Sequence, residues 1–255
     1  MRIVLKVGGN EIGDPFFLGK LSDLVVQIRS AGHKLVLVHG GGKEITGLLE
    51  RLGIETKFVD GLRYTDPATL EAVEMVLSGT INKRIVKALI RKGVESIGLS
   101  GVDGKILVAE RITRKNKDIG LVGNVTDVNV NILTAMMEKL VVVLSPLAMD
   151  RSCVVTLNVN ADYAAAAVGS SLRAELIIFL SNVPGVLRDG AIIPEVNEMS
   201  FNKLKDDGIV SAGMIPKIEA ALAALKGGTL KAVVTDGDGA AKVVSGLTGG
   251  TEIIA

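Results

Sequence analysis

The sequence is poor in the residue types that mark many kinds of functional site. Its 255 residues include one cysteine and two histidines, and the formal net charge is +1. A single cysteine excludes an internal disulfide, which favours a cytoplasmic chain, and we expect Cys153 to be a small buried hydrophobe. His33 and His39 are too few and too scattered for a metal site or a catalytic triad, so we interpret both as structural. A net charge near zero provides no global field to recruit nucleic acid or an anionic membrane.

Targeting signals, membrane spans and the common nucleotide motifs are missing as well. No apolar run reaches the ~18 residues of a membrane span, and the N-terminal residues lack the order of a signal peptide. The Gly-Lys pairs at Gly19, Gly42 and Gly104 are not followed by Ser or Thr, which excludes a P-loop. No predicted strand ends in a dinucleotide-binding glycine fingerprint. A nucleotide would therefore have to be held in another way.

The chain does contain a regular alternation of β-branched runs and helical patterns, which predicts a parallel sheet with right-handed crossovers. The alternation restarts after Arg173, so we expect a lobe boundary near residues 172–174. Residues 107–128 have the glycine punctuation of β-hairpins. The predicted strands are 3–7, 34–38, 95–99, 141–144, 175–180 and, last, 232–235. The predicted helices are 18–31, 43–52, 67–91 with an interruption at Gly79, 132–139, 162–172, 202–206 and 214–226.

Glycines follow the first two predicted strands. Lys6 lies in the first strand before Gly8-Gly9, and Gly40-Gly41-Gly42 follows the second strand and opens a helix. Because the carboxyl ends of parallel strands share one edge of a sheet, both runs can face one crevice and offer backbone N–H groups to an anion. The alternatives are a solvated lysine on an edge strand and two tight turns.

Polar residues in three later segments also suggest a site. Arg63 precedes a capped helix and could bind a carboxylate through its planar guanidinium, or could be a solvated loop residue. Asn158, Asn160 and Asp162 alternate, so they point to one side of an extended segment, where they either cap the next helix or form a polar site. Lys217 lies in the first turn of a helix, where a cation opposes the helix dipole.

Together these stretches resemble the amino acid kinase family, and within it the N-acetylglutamate kinases most closely. The resemblance covers nearly the whole chain, through segments 6–9, 38–42, 61–66, 75–79, 82–83, 98–104, 120–123, 158–162, 181–186 and 213–217. It implies an α/β fold, an open αβα sandwich with a largely parallel central sheet and two lobes. Residues 1–172 would bind the acyl-amino acid and form a homodimer, and residues 173–255 would bind ATP.

The implied reaction is ATP-dependent phosphorylation of the γ-carboxylate of N-acetyl-L-glutamate in arginine biosynthesis, with Mg²⁺ carried by ATP and by no protein side chain. By this resemblance, Lys6 and Lys217 flank the transferring phosphoryl group and Asp162 organises them. Residues implied to hold the substrate are Gly41, Gly42, Arg63 and Asn158. Residues implied to bind the nucleotide are Gly8, Gly9, Ser181, Asn182, Val183, Pro184, Gly185, Val186, Val210, Ser211, Ala212 and Met214.

Two departures from the family pattern leave the acceptor open. Asn182 replaces an aspartate that is common in the family, and Tyr64 replaces a valine that is frequent in the arginine-pathway enzymes. The sequence around Asn182 also occurs in kinases that phosphorylate aminoadipate or glutamate linked to a carrier protein. Phosphorylation of such a carrier-linked acceptor is therefore the alternative function. A non-catalytic nucleotide-binding sensor on the same fold is a third hypothesis. The first strand begins at Arg2, without the preceding helix of arginine-inhibited hexamers, which predicts a dimer without arginine feedback.

Overall fold

A computed structural model describes residues 1–9, 11–114, 117–210 and 213–255 of the chain. Its strands are β1 (Arg2–Val7), β2 (Lys34–His39), β3 (Phe58–Val59), β4 (Leu62–Arg63), β5 (Ser96–Ser100), β6 (Leu107–Arg114), β7 (Lys117–Val128), β8 (Val141–Ser145), β9 (Leu147–Asp150), β10 (Thr156–Val159), β11 (Leu176–Leu180), β12 (Leu187–Arg188), β13 (Ala191–Ile192), β14 (Glu195–Val196), β15 (Ala232–Thr235) and β16 (Thr251–Ile253).

The helices alternate with these strands, as a parallel sheet requires. They are α1 (Pro15–Ser30), α2 (Gly42–Arg51), α3 (Pro67–Glu74), α4 (Asn82–Arg91), α5 (Val130–Met137), α6 (Ala161–Leu172), α7 (Glu198–Asp206), α8 (Ile215–Lys226) and α9 (Gly237–Val244). A π-helical segment, Met75–Ile81, joins α3 to α4, and a short 3₁₀ turn covers Asp103–Lys105.

The central sheet has eight strands in the order β14-β16-β15-β11-β1-β2-β8-β5. Every described pair in it is parallel except β15 with β16, which is antiparallel. Strand β1 is central, because Lys6 is paired with Val38 on one side and with Phe179 on the other. The edge-strand interpretation of Lys6 is therefore wrong.

Alternate residues of the central strands supply two hydrophobic cores, one on each face of the sheet. Val4 packs in the core that contains buried residues of α5, α6 and α8. Its neighbours Ile3 and Leu5 pack in the other core, with buried residues of α1, α4 and α9. Burial of both faces is the arrangement of an αβα sandwich, which confirms the predicted fold class. Since side chains alternate along a strand, Lys6 points to the same face as Val4, toward α6.

A small closed barrel and two short two-stranded sheets complete the described structure. Strands β10, β7, β6 and β9 close into a barrel, in which β6 and β7 are antiparallel. The pairs β3–β4 and β12–β13 form separate two-stranded sheets. Within the described ranges, no helix is both long and apolar enough to cross a bilayer.

Several boundaries differ from the sequence prediction. Helix α7 begins at Glu198, four residues earlier than predicted, because Asn197 forms a capping box with Ser200. Strand β15 is not the last, since α9 and β16 follow it. Gly79 does lie in an interruption, the π-helical segment between α3 and α4. Strands β1 and β11 pair directly, so the two predicted lobes share one sheet, and the division at residue 172 stays a prediction.

The expectation for Cys153 is wrong. This residue is exposed and has a φ of 60°, in the left-handed region. It lies in a tight turn that is held by Asp150, whose Oδ1 accepts hydrogen bonds from the N–H groups of Val154 and Val155. The turn geometry therefore directs the thiol outward.

Candidate active site

Lys6 is the buried cation around which the site is built. It lies in the central strand of a parallel sheet and is 4% exposed. A buried ammonium is unfavourable unless it has a counter-ion. The counter-ion is Asp162, whose Oδ1 lies 2.9 Å from Lys6 Nζ. The described residues give this oxygen no well-aligned hydrogen bond, so the attraction is chiefly ionic.

Asp162 is available for this contact because its neighbour caps the helix. The side chain of Asn160 accepts hydrogen bonds from the N–H groups of Asp162 and Tyr163 at the start of α6. Of the three alternating polar residues, Asn160 is therefore the one that caps the helix. Asp162 lies in the first helical turn, where a carboxylate also interacts favourably with the helix dipole, and it is 5% exposed.

Lys217 is the second cation and approaches the opposite side of the same carboxylate. Its Nζ lies 3.8 Å from Asp162 Oδ2 and donates a hydrogen bond to the carbonyl oxygen of Gly213 at 3.2 Å. Pro216 stands at the start of α8, which places Lys217 in the first turn as predicted. Burial lowers the pKa of Lys217, the positive charge of Lys6 lowers it further, and Asp162 partly opposes both effects.

Lys6, Asp162 and Lys217 form a triad with more cationic than anionic groups. Two ammonium groups share one carboxylate at 2.9 and 3.8 Å, so one positive charge is left uncompensated when all three are ionised. A low-dielectric surrounding strengthens attraction to any anion that enters. The triad is therefore suited to bind a group that carries or develops negative charge.

The two glycine runs meet beside this triad. A Cβ on Gly9 would lie 2.3 Å from the backbone nitrogen of Gly41, and a Cβ on Gly41 would lie 2.4 Å from Cδ1 of Ile81. The first distance shows that Gly9 must lack a Cβ for the two loops to approach each other, whereas a Cβ on Gly41 would press on the ends of the Ile81 and Leu77 side chains. The helix α2 begins directly after Gly41, and no side chain caps its first N–H groups. These uncapped N–H groups lie where the sequence predicted an anion cradle, and we call them the glycine cradle.

Arg63 is held on the far side of the glycine loop. Its Nη2 donates to the carbonyl oxygen of Gly42 at 3.0 Å and to Oγ1 of Thr46 at 2.9 Å, and its guanidinium lies 4.8 Å from the ring centre of Phe58. Burial lowers the pKa of Arg63. Among the described residues it has no acidic partner within salt-bridge distance. It is therefore a buried guanidinium, and the solvated interpretation is wrong.

Asn158 is positioned by a buried threonine. Asn158 Nδ2 donates to Oγ1 of Thr65 at 3.1 Å, and that hydroxyl donates to the carbonyl oxygen of Arg63 at 2.9 Å. Thr65 is fully buried, so it links the Asn158 amide to the backbone beside Arg63. Sequence reasoning did not name Thr65 as a site residue.

Two cavities meet at the triad. We call the first the Arg63 cavity; its volume is about 220 Å³, and it contains Lys6 and Asp162. All four predicted substrate residues line it, namely Gly41, Gly42, Arg63 and Asn158. We call the second the Lys217 cavity; its volume is about 410 Å³. Its lining includes five predicted nucleotide residues, namely Gly8, Ser181, Asn182, Val183 and Met214.

The other predicted nucleotide residues lie elsewhere. Gly9 lines the Arg63 cavity, and Pro184 lines a third cavity beside Gly249 and Gly250. Gly185 packs against Thr251, while Val186 and Val210 are buried in the core. Ser211 and Ala212 lie outside the described residues.

The structure adds residues that sequence reasoning missed. Glu11, Phe17 and Leu180 also line the Lys217 cavity. Phe58 and Pro146 line the Arg63 cavity. Phe17, Leu180 and Pro146 lie in a predicted strand or helix or close to one, where a core role was the simpler expectation, whereas Phe58 lies outside the predicted elements. Within the part of the chain that the structure describes, no group of three or more His, Cys, Asp or Glu residues is arranged to hold a metal ion.

Comparison with known proteins identifies the fold and the arrangement of these motifs. The family model of the amino acid kinase family matches residues 1–236. The chain belongs to the amino acid kinase family. This confirms the family that the motifs indicated. The computed structure of this amino acid kinase also superposes on a solved structure, smu.665 from Streptococcus mutans UA159, with a TM-score of 0.84 and 30% identity, covering 100% of this chain and 98% of the other.

Curated relatives of this amino acid kinase have one name in common. The acetylglutamate kinase of Chloroflexus aurantiacus is 46% identical over 226 residues, which is 88% of each chain. The acetylglutamate kinase of Bacillus pumilus is 42% identical over 242 residues, which is 93% of this chain and 90% of the relative. The range matched by the family model, residues 1–236, contains the triad and the residues that line both cavities.

Proposed function

We propose that this protein is an acetylglutamate kinase, which transfers the γ-phosphoryl group of ATP to the γ-carboxylate of N-acetyl-L-glutamate. The observation that carries the proposal is the position of the triad between the two cavities. Lys6 and Asp162 line the Arg63 cavity, and Lys217 lines the other. Relatives named acetylglutamate kinase at 46% and 42% identity support the acceptor.

The chemistry requires no general base. A γ-carboxylate has an ordinary pKa of about 4.3, so it is already an ionised nucleophile at neutral pH. One carboxylate oxygen attacks the γ-phosphorus, the bond from that phosphorus to the bridging oxygen of ADP breaks, and the products are an acyl phosphate and ADP. The protein must position the reactants and stabilise negative charge. The scarcity of histidines is therefore no obstacle.

Each member of the triad has a defined part in this reaction. Lys6 and Lys217 offset the charge on the transferring phosphoryl group, and Asp162 holds both ammonium groups in place. The N–H groups of the glycine cradle donate hydrogen bonds to anionic oxygens of the reactants. None of these roles needs a proton to move.

Arg63 binds a carboxylate of the acceptor in this proposal. Its guanidinium is oriented by the carbonyl oxygen of Gly42 and by Thr46, which both accept from Nη2, and the described hydrogen bonds leave its Nε–H to donate to a carboxylate oxygen. Asn158, held by Thr65, supplies an amide on the same wall of the cavity. The Arg63 cavity thus provides both a cation and neutral polar groups for an acylated amino acid.

The nucleotide occupies the Lys217 cavity. Its lining includes Gly8 and residues 181–183, which provide backbone groups close to Lys217. Mg²⁺ bound to the nucleotide phosphates would offset part of their charge.

The relatives favour the free acetylated amino acid over an acceptor linked to a carrier protein, because the curated relatives described above are acetylglutamate kinases. We also infer a homodimer and a cytoplasmic location. The family resemblance supports the dimer, and the use of a single exposed cysteine supports a reducing compartment.

Hydroxylamine trapping tests the proposal. Purified protein is incubated with MgATP and free N-acetyl-L-glutamate, and the acyl phosphate is captured as a hydroxamate. We expect rapid hydroxamate formation, and we expect Lys217→Ala to lower kcat at least ~100-fold, as loss of one charge-stabilising donor does in other enzymes. ATP binding without hydroxamate would contradict the proposed reaction. An unchanged kcat in the variant would contradict the role of Lys217.

A further inference from the structure

His39 is a buried polar residue next to the glycine cradle, and the proposed reaction gives this residue no role. It is the last residue of β2, and its exposed fraction is 0%. The next residue, Gly40, begins the loop that lines the Arg63 cavity. Buried polar side chains are normally fully hydrogen-bonded, so the partners of His39 indicate its role.

The partners define one tautomer of the imidazole. His39 Nδ1 lies 3.1 Å from the carbonyl oxygen of Gly40, and Nε2 lies 3.3 Å from Nδ2 of Asn82. A carbonyl oxygen only accepts, so Nδ1 must carry the hydrogen. The Asn82 amide is oriented independently, because Nδ2 also lies 2.9 Å from the carbonyl oxygen of Val143 and 3.2 Å from that of Leu99, which share its two hydrogens with Nε2. Nε2 therefore accepts, and the ring is neutral.

The hydrogen bond to Gly40 also orients the backbone N–H of Gly41. The carbonyl of Gly40 and the N–H of Gly41 belong to one planar peptide group. In a trans peptide these two groups point in opposite directions, so holding the carbonyl on one side directs the N–H to the other. The structure contains no cis peptide bond among its described residues. His39 thus sets the direction of the Gly41 N–H.

Gly41 lies at the wall of the cavity that contains Lys6. Its nitrogen lies against the loop after β1, since a Cβ on Gly9 would approach it to 2.3 Å. Backbone bonds of the described residues occupy the Gly41 carbonyl, which accepts from Ile45, but supply no acceptor for its N–H. Both Gly9 and Gly41 line the cavity that contains Lys6. The N–H is therefore available to an anionic oxygen in that cavity.

We propose that His39 is a positioning residue, which holds the Gly40 carbonyl so that the Gly41 N–H donates to the anionic oxygen that develops beside Lys6 during phosphoryl transfer. This inference rests on the proposed function for its catalytic consequence. The neutral ring also fits the environment, because burial lowers the pKa of His39 to about 4. A purely structural histidine would only fill the core and accept from Asn82.

Two substitutions separate these roles. Asn in place of His39 can keep an amide donor near the position of Nδ1, whereas Gln reaches the position of Nε2 and loses the donor to Gly40. We expect His39→Gln to lower kcat ~10- to 100-fold, with the KM of the acceptor changed less than ~3-fold, because misplacement of a catalytic group costs about that much. We expect His39→Asn to keep kcat within ~5-fold of the wild type. An unchanged kcat in His39→Gln, or equal losses in both variants, would overturn the proposal.

NMR tests the positioning role without measuring turnover, and its first measurement uses only the wild-type protein. Nitrogen-15 NMR of the imidazole should report the Nδ1-protonated tautomer, and the Nε2-protonated tautomer would overturn the proposal. The Gly41 amide signal should shift in His39→Gln and stay near its wild-type position in His39→Asn. If wild-type protein gave no hydroxamate, the proposed function would fail, while the tautomer and the Gly41 signal would still decide the positioning role.

Discussion

The substitution Asp162→Asn removes the charge of the triad's only anion while keeping the shape of the side chain. The carboxylate oxygens lie 2.9 Å from Lys6 Nζ and 3.8 Å from Lys217 Nζ. At 3.8 Å the attraction between unit charges is about 1 kcal/mol in bulk water and about 4 kcal/mol at an effective dielectric constant of 20. The side chain of Lys217 is 16% exposed, so the energy lies between these limits.

The stability loss has a matched control at the surface. Because Asp162 and Lys6 are both buried, we expect Asp162→Asn to lower the free energy of unfolding by about 3 kcal/mol, as removal of one partner of a buried ion pair does. Asp23 contacts Lys92 at 2.7 Å, but its side chain is 64% exposed. Asp23→Asn should therefore cost less than about 1 kcal/mol. Urea unfolding measures both, and equal losses would refute the reasoning.

The substitution Asp162→Asn should also change the pH dependence of kcat. Asp162 raises the pKa of Lys217 against the opposing effects of burial and of Lys6. Its loss should lower that pKa further, so the alkaline limb of the kcat profile should move to lower pH. We expect kcat at neutral pH to fall at least ~100-fold. Initial rates between pH 6 and pH 10 measure both effects, and an alkaline limb that does not move would contradict the account.

Three further predictions concern the cavity and the loop. Arg63→Ala should raise the KM of the acceptor at least ~10-fold with a smaller change in kcat, since a hydrogen bond to a charged group contributes about 1.5–3 kcal/mol; initial rates measure this, and an unchanged KM would oppose it. Gly41→Ala should lower kcat more than ~10-fold, because its Cβ would lie 2.4 Å from Cδ1 of Ile81; initial rates measure this, and a fully active variant would argue against the cradle. In the control Gly47→Ala, in the helix that follows, the new Cβ meets open space and should stabilise the fold by up to about 1 kcal/mol, which urea unfolding can check. The pKa of His39 is about 4 in the folded protein against an ordinary 6.5, so the unfolded chain binds more protons between these two pH values. The free energy of unfolding therefore decreases as pH falls through that window, by about 1.4 kcal/mol per pH unit at most. Thermal unfolding of wild type and His39→Asn should therefore diverge below about pH 6.5, and parallel curves would exclude this contribution.

Local patterns were sufficient to predict the central part of the fold. Buried β-branched runs alternate with capped helices, and each helix covers one face of the sheet. The glycines after β1 and β2 predicted the cradle, because carboxyl ends of parallel strands share an edge. The partnership of Asp162 with Lys6 and Lys217 joins residues far apart in the chain. These contacts were suggested by the family resemblance and could not be derived from any local sequence pattern.

Sequence reasoning missed the β3–β4 hairpin, although its turn residues are visible in the sequence. Asp60-Gly61 is a two-residue turn in which φ is 48° and 79°, so it connects β3 and β4 as a tight hairpin. That hairpin pairs Phe58 with Arg63 and brings the ring against the guanidinium. An Asp-Gly pair between two apolar residues is a recognised hairpin signal. The contact between Phe58 and Arg63 could therefore have been predicted.

The C-terminal elements could not be predicted in the same way. Helix α9 contains Gly237 and Gly239, which lower its intrinsic helix propensity, and it is stabilised by the cap from Asp236. Strand β16 has three residues and gains its place by pairing with β15 and β14. In both cases packing and strand pairing outweigh local preference. Sequence reasoning therefore ended the sheet one strand too early.

The central claim is that an oxygen of the acceptor carboxylate attacks the γ-phosphorus of ATP in the site around Lys6, Asp162 and Lys217. The most direct test is phosphorus-31 NMR of a reaction in which the γ-carboxylate of N-acetyl-L-glutamate carries oxygen-18. We expect an acyl phosphate signal with the isotope shift of an oxygen-18 bridge. Formation of ADP with only unlabelled inorganic phosphate would show that water is the acceptor, which would contradict the account.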